Sequence, residues 1–229
     1  MISEHPNATP SLLAESIVTE LRAAIAERGQ ATLAVSGGKS PIALFEHLRG
    51  QDLDWAKVQV MLVDERCVAP DHADSNTALV RQHLLQGAAA AATFIALFDS
   101  VPAEIDDAAL AGLVGAANQR LAKVTFPLDV VVLGMGEDGH TASLFPAAPG
   151  LVEALASPGP IAWVRPATAP HARLTLTLPV LQGARHLYLP LSGDNKLKVY
   201  QEASKAANPA LPISLLLNSP ACDVQVWLS

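Results

Sequence analysis

Charge and cysteine are both scarce in this sequence. Of its 229 residues only 16% are Asp, Glu, Lys or Arg, and the two cysteines are Cys67 and Cys222. Two isolated cysteines exclude a disulfide-stabilised scaffold and a Cys-x-x-Cys zinc or redox site, so a reducing cytoplasm is the expected environment. The net charge is −7 and there is no block of Lys or Arg, which argues against a nucleic-acid partner bound through a basic patch.

Long apolar runs and a secretion signal are also missing. Although 50% of the residues are hydrophobic, no window approaches 18 consecutive apolar residues, and no membrane-spanning segment is expected. The N-terminal stretch contains Glu4 and lacks the basic region that opens a signal peptide. The seven histidines are scattered and form no His-x-x-x-His or His-x-Glu pair, which argues against a dedicated zinc site.

What the sequence contains is an alternation of short apolar runs and amphipathic segments. Helices are predicted at residues 9–28, 41–48, 76–86, 107–123 and 195–206. Strands are predicted at 31–35, 58–63, from 128 onward, and at 161–164, 174–176 and 186–191, with two further apolar runs at 213–217 and 224–228. This order predicts one α/β domain over residues 1–229, with a mostly parallel sheet flanked by helices. The Ala/Pro/Gly-rich segment 147–160 is expected to be a surface excursion.

Polar segments follow three of the predicted strands, where ligands bind in open parallel sheets. The first is SGGKS, residues 36–40, with Ser40 as the expected N-cap of a helix that starts at Pro41. Its glycines and the helix N-terminus favour an anion such as phosphate, although a tight strand-to-helix turn would look the same. The second is the loop Asp64-Glu65-Arg66, which fits either a binding site or a solvated salt-bridged corner.

The third segment, GMGEDGH at residues 134–140, follows an apolar strand and has the spacing of a dinucleotide-binding loop. That function needs a long helix after the third glycine, and here Pro146 and Pro149 interrupt it. The acidic residue at about the right distance, Glu153, is not at a strand end, so we reject the dinucleotide interpretation. What remains is a loop that presents His140 beside two acids, as a general base or as a structural histidine at a helix start.

Taken in order, these segments resemble the 6-phosphogluconolactonase family. The similarity rests on SGGKSP, on VDER with SN ten residues after Glu65, and on LGMGEDGHTASLFP. Further on, ARLTLTLPVL and GDNKLKV resemble the R-x-T-L-T-x-P and G-x-x-K-x-x-V segments of that family. The related glucosamine-6-phosphate deaminases share the first and third loops but usually read DGHIAFNEP and DEY. Here TASLFP follows His140, and Arg66 follows the acids, which favours the lactonase.

The resemblance implies a modified Rossmann-type α/β fold and hydrolysis of 6-phospho-D-glucono-1,5-lactone to 6-phosphogluconate in the oxidative pentose phosphate pathway. It implies no cofactor and no metal. His140 would be the general base, oriented by Asp138 or Glu137. The other implied site residues would bind the substrate and its phosphate: Ser36, Gly37, Gly38, Lys39, Asp64, Arg66, Arg173 and Lys196.

Within that set, Asp64 is expected to bind a sugar hydroxyl, and Arg66 to contact either the phosphate or the oxyanion. The expected partner is a small sugar-phosphate lactone, with neither nucleic acid nor membrane, and the protein is expected to be a monomer or a weak homodimer. Two alternatives stay open: a sugar-phosphate deaminase or isomerase, and a non-catalytic sugar-phosphate-binding regulator.

Overall fold

The computed structural model describes residues 1–229 and contains ten strands and eight α-helices. The strands are β1 (Ile2–Pro6), β2 (Ala31–Val35), β3 (Val58–Leu62), β4 (Asp64–Arg66), β5 (Thr93–Ile95), β6 (Val130–Val132), β7 (Ile161–Val164), β8 (Arg173–Leu176), β9 (His186–Leu191) and β10 (Val224–Leu228). The helices are α1 (Pro10–Arg28), α2 (Ile42–Arg49), α3 (Asn76–His83), α4 (Asp107–Leu121), α5 (Leu151–Ala156), α6 (Leu178–Gln182), α7 (Asp194–Ala203) and α8 (Ser214–Leu217).

Seven strands form one sheet in the order β1-β10-β9-β6-β2-β3-β5, and every neighbouring pair is parallel. The predicted α/β class with a mostly parallel sheet flanked by helices is therefore confirmed. Because all seven strands run in one direction, the loops after β2, β3, β6 and β9 leave the sheet at the same edge.

The two faces of this sheet are covered by separate hydrophobic clusters. Val130 and Val132 point into a cluster with helices α1 to α3, and Val131 between them points into a larger cluster on the other face. Burial on both faces explains why β6 reads as a continuous apolar run without polar alternation.

The first helix shows how local sequence signals set its ends. Thr9 caps α1 by accepting a hydrogen bond from the Leu12 amide at 3.2 Å, and Pro10 occupies the first turn. Gly29 ends the helix in the left-handed conformation, with φ of 79°, as the sequence predicted. The second helix corrects a prediction: α2 begins at Ile42, and no side chain of residue 40 or 41 caps it.

A second, smaller sheet was not predicted. The Asp64–Arg66 segment, expected to be a loop, is strand β4, and it pairs antiparallel with β8, which pairs with β7. The reason is that Val63 breaks the direction of the chain after β3, so β4 leaves the parallel sheet and meets a strand from the second half of the chain.

The 147–160 segment was also expected to lie on the surface, and this was wrong in part. It contains α5, and Ala148, Leu151 and Ala154 are buried in the larger hydrophobic cluster. Gly150 approaches β7 so closely that a Cβ there would lie 2.1 Å from the carbonyl oxygen of Trp163. The segment is thus packed against the small sheet. No helix of the protein combines the length and the apolar character needed to cross a membrane.

Candidate active site

A cavity of about 280 Å³ lies at the carboxyl edge of the parallel sheet, bordered by the small sheet. It brings together eight of the residues that the sequence singled out: Ser36, Gly37, Gly38, Asp64, Arg66, His140, Arg173 and Lys196. Three predicted residues do not line it. The Lys39 side chain is on the correct loop but is exposed, and Glu137 and Asp138 lie on the outer side of the loop that carries His140.

The loop after β2 offers main-chain donors to the cavity. The N–H groups of residues 37–40 donate to no other protein group, and Ser36 is held by its own hydroxyl, which donates to the Val132 carbonyl at 3.2 Å. Gly38 has φ of 87°, a conformation that glycine adopts without strain. A run of free N–H groups just before a helix is a suitable site for an anionic oxygen.

The loop after β6 holds His140 against Asp138. The two side chains are joined by a hydrogen bond of 2.5 Å between His140 Nδ1 and Asp138 Oδ1, and Asp138 also accepts from the His140 amide. Gly136 makes this possible, because a Cβ there would lie 2.2 Å from Nδ1 and 2.5 Å from the carboxylate. The glycine that suggested a dinucleotide loop therefore provides space for a histidine–aspartate pair.

One further contact fixes the imidazole in the cavity wall. The His140 ring stacks on the Phe145 ring, with centroids 4.0 Å apart and planes inclined by 20°. Nδ1 is occupied by Asp138, and Nε2 makes no hydrogen bond within the protein, which leaves Nε2 as the nitrogen that can exchange a proton with a ligand. The other acid that the sequence proposed, Glu137, accepts instead from Asn195 Nδ2 at 3.3 Å, so Asp138 is the acid in contact with His140.

Arg66 and Arg173 stand side by side across the antiparallel β4–β8 pair, where they are direct register partners. Like charges in that relation are destabilising on their own. Neither guanidinium forms a salt bridge; Arg66 donates to the Asp74 carbonyl, and Arg173 donates to the carbonyls of Pro170 and His171. Two neighbouring cations without a salt-bridge partner, both lining a cavity, make a site for an anionic group.

Burial adds to the cost of this pair. Arg173 is only 6% exposed, and its guanidinium carbon lies 5.0 Å from the centre of the Phe145 ring. Burial lowers the pKa of Arg173 below its ordinary value; Asp64 opposes that change and the charge of Arg66 adds to it. The Arg66 Nε is buried and has no hydrogen-bond partner. A bound anion would relieve both penalties.

Two buried acids next to the arginines have different structural roles. Asp64 lines the cavity and accepts a 2.5 Å hydrogen bond from the Ser143 hydroxyl. Glu65 faces away from the cavity and accepts from the Arg66, Asn76 and Thr77 amides and from the Ser75 hydroxyl. Burial raises the pKa of Glu65 although these hydrogen bonds oppose the change. Glu65 therefore anchors α3 beneath the site.

Some residues that line or support the cavity were missed from the sequence. Asn76 packs so closely against the first loop that a Cβ on Gly37 would lie 1.8 Å from its Oδ1, and its Nδ2 donates to the Asp64 carbonyl. Phe145 and Ser143 follow His140 in the motif, and Ser143 contacts Asp64 across the chain. The SN pair after Glu65 and the SLFP segment after His140 were signals that could have found them.

Lys196 completes the set of cations from the opposite wall. It lies in the first turn of α7, is half-buried, lines the cavity and forms no salt bridge. No group of three or more His, Cys, Asp or Glu side chains is arranged to hold a metal ion. The cavity thus combines one histidine–aspartate pair, three cations and a run of free N–H groups, an arrangement suited to acid–base chemistry on an anionic substrate.

Comparison with known proteins identifies the family of this chain. Residues 4–227 match the family described as glucosamine-6-phosphate isomerases/6-phosphogluconolactonase. A 6-phosphogluconolactonase from Pseudomonas aeruginosa is 44% identical over 214 residues, which is 91% of this chain and 86% of that protein. One from Rhizobium meliloti is 43% identical and covers 99% of this chain and 96% of its own length.

The fold agrees as well. The crystal structure of a 6-phosphogluconolactonase from Shewanella baltica superposes with a TM-score of 0.91 and 37% identity, covering 100% of this chain and 98% of that one. The match extends over the parallel sheet, the small sheet and the loops that form the cavity. The chain therefore belongs to the glucosamine-6-phosphate isomerase/6-phosphogluconolactonase family.

Proposed function

We propose that this protein hydrolyses 6-phospho-D-glucono-1,5-lactone to 6-phospho-D-gluconate in the oxidative pentose phosphate pathway. The observation that carries the proposal is that His140, with Nδ1 bonded to Asp138 and Nε2 free, lines the same cavity as three cations without a salt bridge. A lactone carbonyl is already electrophilic, so hydrolysis needs a base for water, stabilisation of the oxyanion and a hold on the phosphate. The relatives named 6-phosphogluconolactonase match nearly the whole chain.

In the proposed reaction His140 Nε2 takes a proton from water as its oxygen bonds to the lactone carbonyl carbon. The carbonyl becomes a tetrahedral oxyanion, and Asp138 stabilises the imidazolium through Nδ1. The oxyanion then re-forms the carbonyl, the bond to the ring oxygen breaks, and the imidazolium gives its proton to that oxygen. The imidazole is neutral again, and the product is the open-chain acid.

Substrate binding is proposed to use the remaining groups of the cavity. The phosphate would be held by the N–H groups of the 36–40 loop, by Arg173 and by Lys196. Arg66 would contact the phosphate or the oxyanion, and Asp64, fixed by Ser143, would accept from a sugar hydroxyl. Lys39 would act through its main-chain N–H because its side chain is exposed.

The decisive experiment is an assay that offers the lactone and glucosamine 6-phosphate side by side. We expect lactone hydrolysis well above the spontaneous rate and no release of ammonia from glucosamine 6-phosphate. Ammonia release without lactonase activity would support a deaminase, and binding of sugar phosphates without any turnover would support a regulator.

The His140→Ala variant tests the base itself. We expect kcat to fall by a factor of about 10³, with the affinity for 6-phosphogluconate within a few-fold of wild type, because the variant removes proton transfer and leaves the cations. Rates must be corrected for spontaneous hydrolysis of freshly made lactone. A corrected rate equal to wild type would exclude His140 as the base.

We further propose that the chain acts as one domain in the cytoplasm, as a monomer or a weak homodimer. Two buried, unpaired cysteines suit a reducing compartment. Light scattering coupled to size-exclusion chromatography measures the oligomeric state, and a single coincident unfolding transition by two probes would support one domain.

A further inference from the structure

Two loops at the mouth of the cavity hold the arginine pair by main-chain carbonyls alone. The loop before α3 places the Asp74 carbonyl 2.6 Å from Arg66 Nη1. The loop before β8 places the carbonyls of Pro170 and His171 each 3.0 Å from Arg173 Nη1. The direction of each guanidinium therefore depends on where its loop lies.

The same two loops are joined to each other by side chains. His171 Nε2 lies 3.0 Å from Asp74 Oδ2, and the hydrogen bond from His171 is the main cause that lowers the pKa of the Asp74 carboxyl. His72 adds a brace, because its Nδ1 accepts from the Asp74 amide at 3.0 Å and its ring meets the His171 ring edge-on at 5.7 Å. Asp74 is thus held by histidines from both loops.

The backbone at His171 is held in an unfavourable conformation. Its φ is 70°, in the left-handed region that is uncommon for residues other than glycine, although histidine, asparagine and aspartate adopt it more often than the rest. Such a conformation persists only where the surrounding contacts enforce it. Here it turns the His171 carbonyl toward Arg173 and the ring toward Asp74, so one strained residue serves both contacts.

We propose that Asp74 and His171 are positioning residues, a clasp that fixes the two mouth loops so that Arg66 and Arg173 converge on the anionic group of the substrate. The identity of that substrate rests on the proposed function; the clasp itself rests on the bonds between the loops. The clasp is distinct from the groups that would touch the substrate, since neither Asp74 nor His171 lines the cavity.

Electrostatics alone predicts the opposite change in anion binding when Asp74 is removed. The direction of that change therefore tests the proposal. A carboxylate near two arginines weakens the attraction for an anion, so removing Asp74 would strengthen binding if charge were its only effect. If the clasp is correct, Asp74→Ala weakens binding because the loops, and with them both guanidiniums, lose their fixed positions.

The experiment measures KM and kcat for the lactone and the Kd of 6-phosphogluconate by calorimetry. For Asp74→Ala we expect KM and Kd to rise roughly three- to tenfold, with kcat within about twofold of wild type. Asp74→Asn keeps an oxygen that accepts from His171 and should remain within about twofold of wild type on all three. Asp99→Ala removes another exposed aspartate, one that pairs with Arg120 away from the cavity, and should change none of them.

A double-mutant cycle distinguishes the loss of one shared bond between Asp74 and His171 from two independent effects of the substitutions. His171→Asn tolerates the left-handed backbone but is too short to reach Asp74, so it should reproduce the loss of Asp74→Ala. The double variant should then show no further loss, because each substitution breaks the same bond. Unchanged or tighter binding in Asp74→Ala, an equal loss in Asp74→Asn, or additive losses in the double variant would each overturn the clasp.

The two proposals fail in different ways. If the wild-type protein binds 6-phosphogluconate but does not hydrolyse the lactone, the proposed reaction is wrong, and the Kd series still decides the clasp. If the wild type hydrolyses the lactone and the Kd series shows no loss, the clasp is wrong and the reaction stands.

Discussion

At each edge of the parallel sheet a buried aspartate lies near two arginines, and the two clusters are organised in opposite ways. At the amino edge the buried Asp129 pairs with Arg28 at 2.6 Å and Arg185 at 3.5 Å, and it also accepts from the amide and hydroxyl of Thr32. At the carboxyl edge the Asp64 carboxylate accepts from a serine, and Arg66 and Arg173 have only carbonyl partners.

The difference separates a structural charge cluster from a binding one. At the amino edge every charge has its partner inside the protein, so the cluster joins α1, β2, β6 and β9 and has nothing left for a ligand. At the carboxyl edge the cations are placed next to each other without a salt-bridge partner, and this arrangement costs stability unless an anion binds. Both clusters contain a buried aspartate and two arginines, and the pairing decides the role.

The amino-edge cluster should respond to substitution with the largest loss of stability. Asp129→Ala leaves the Thr32 amide and Arg185 without their acceptor and Arg28 with Glu27 alone, and we expect the free energy of unfolding to fall by about 3 kcal/mol. Asp64→Ala removes one hydrogen bond from Ser143 and should cost about 1 kcal/mol. Urea denaturation of both variants measures the difference, and equal losses would remove the distinction between the clusters.

The carboxyl-edge cations should respond with the largest loss of binding. Arg173→Met is expected to raise KM about 30-fold and to change the free energy of unfolding by less than about 1 kcal/mol, because it removes a buried cation that has no salt-bridge partner. Arg28→Met is the matched control, with an unchanged KM and a loss of about 1 kcal/mol of stability. Steady-state kinetics and denaturation on the same preparations measure both. The comparison fails if the two variants behave alike.

The smallest expected effect on stability comes from Glu65. This acid is buried beside the binding cluster with only hydrogen-bond donors around it, so it refines the comparison. Its pKa in the folded state is raised from 4.5, so ionisation costs the folded state more than the unfolded one. Relative to Glu65→Gln, the wild type should be most stable below that value and should lose stability as the pH rises through the raised pKa. Urea denaturation of both proteins across that pH range measures the trend. If the stability of the wild type relative to Glu65→Gln rose with pH, the prediction would be contradicted.

The sequence predicted most elements of the parallel sheet because their signals are local. Apolar runs located β2, β3, β6 and β9, and a cap and a glycine located α1. Strand β1 was missed because Glu4 and His5 interrupt its apolar character, and β5 was missed because it has three residues. The antiparallel sheet was missed for another reason: nothing near Asp64 in the sequence indicates that this residue pairs with Thr175.

The site was likewise predictable where its signals are local and not where it depends on pairing between distant segments. His140 and the 36–40 loop follow strands of the parallel sheet, so their place at its carboxyl edge could be deduced. Lys39 could not be oriented from the sequence, since the path of the loop turns its side chain outward. The pairing of Arg66 with Arg173 and the choice of Asp138 over Glu137 depend on register and loop shape, which single-sequence patterns do not encode.

The register between β4 and β8 also sets when the site can form during folding. It joins segments about a hundred residues apart in the chain, so closing it costs more chain entropy than forming any single helix or pairing two strands that are consecutive in the chain. The arginines cannot converge until the second half of the protein has docked on the first. Binding of the anionic ligand therefore reports completed tertiary assembly, and a chain with its helices already formed would still be inactive.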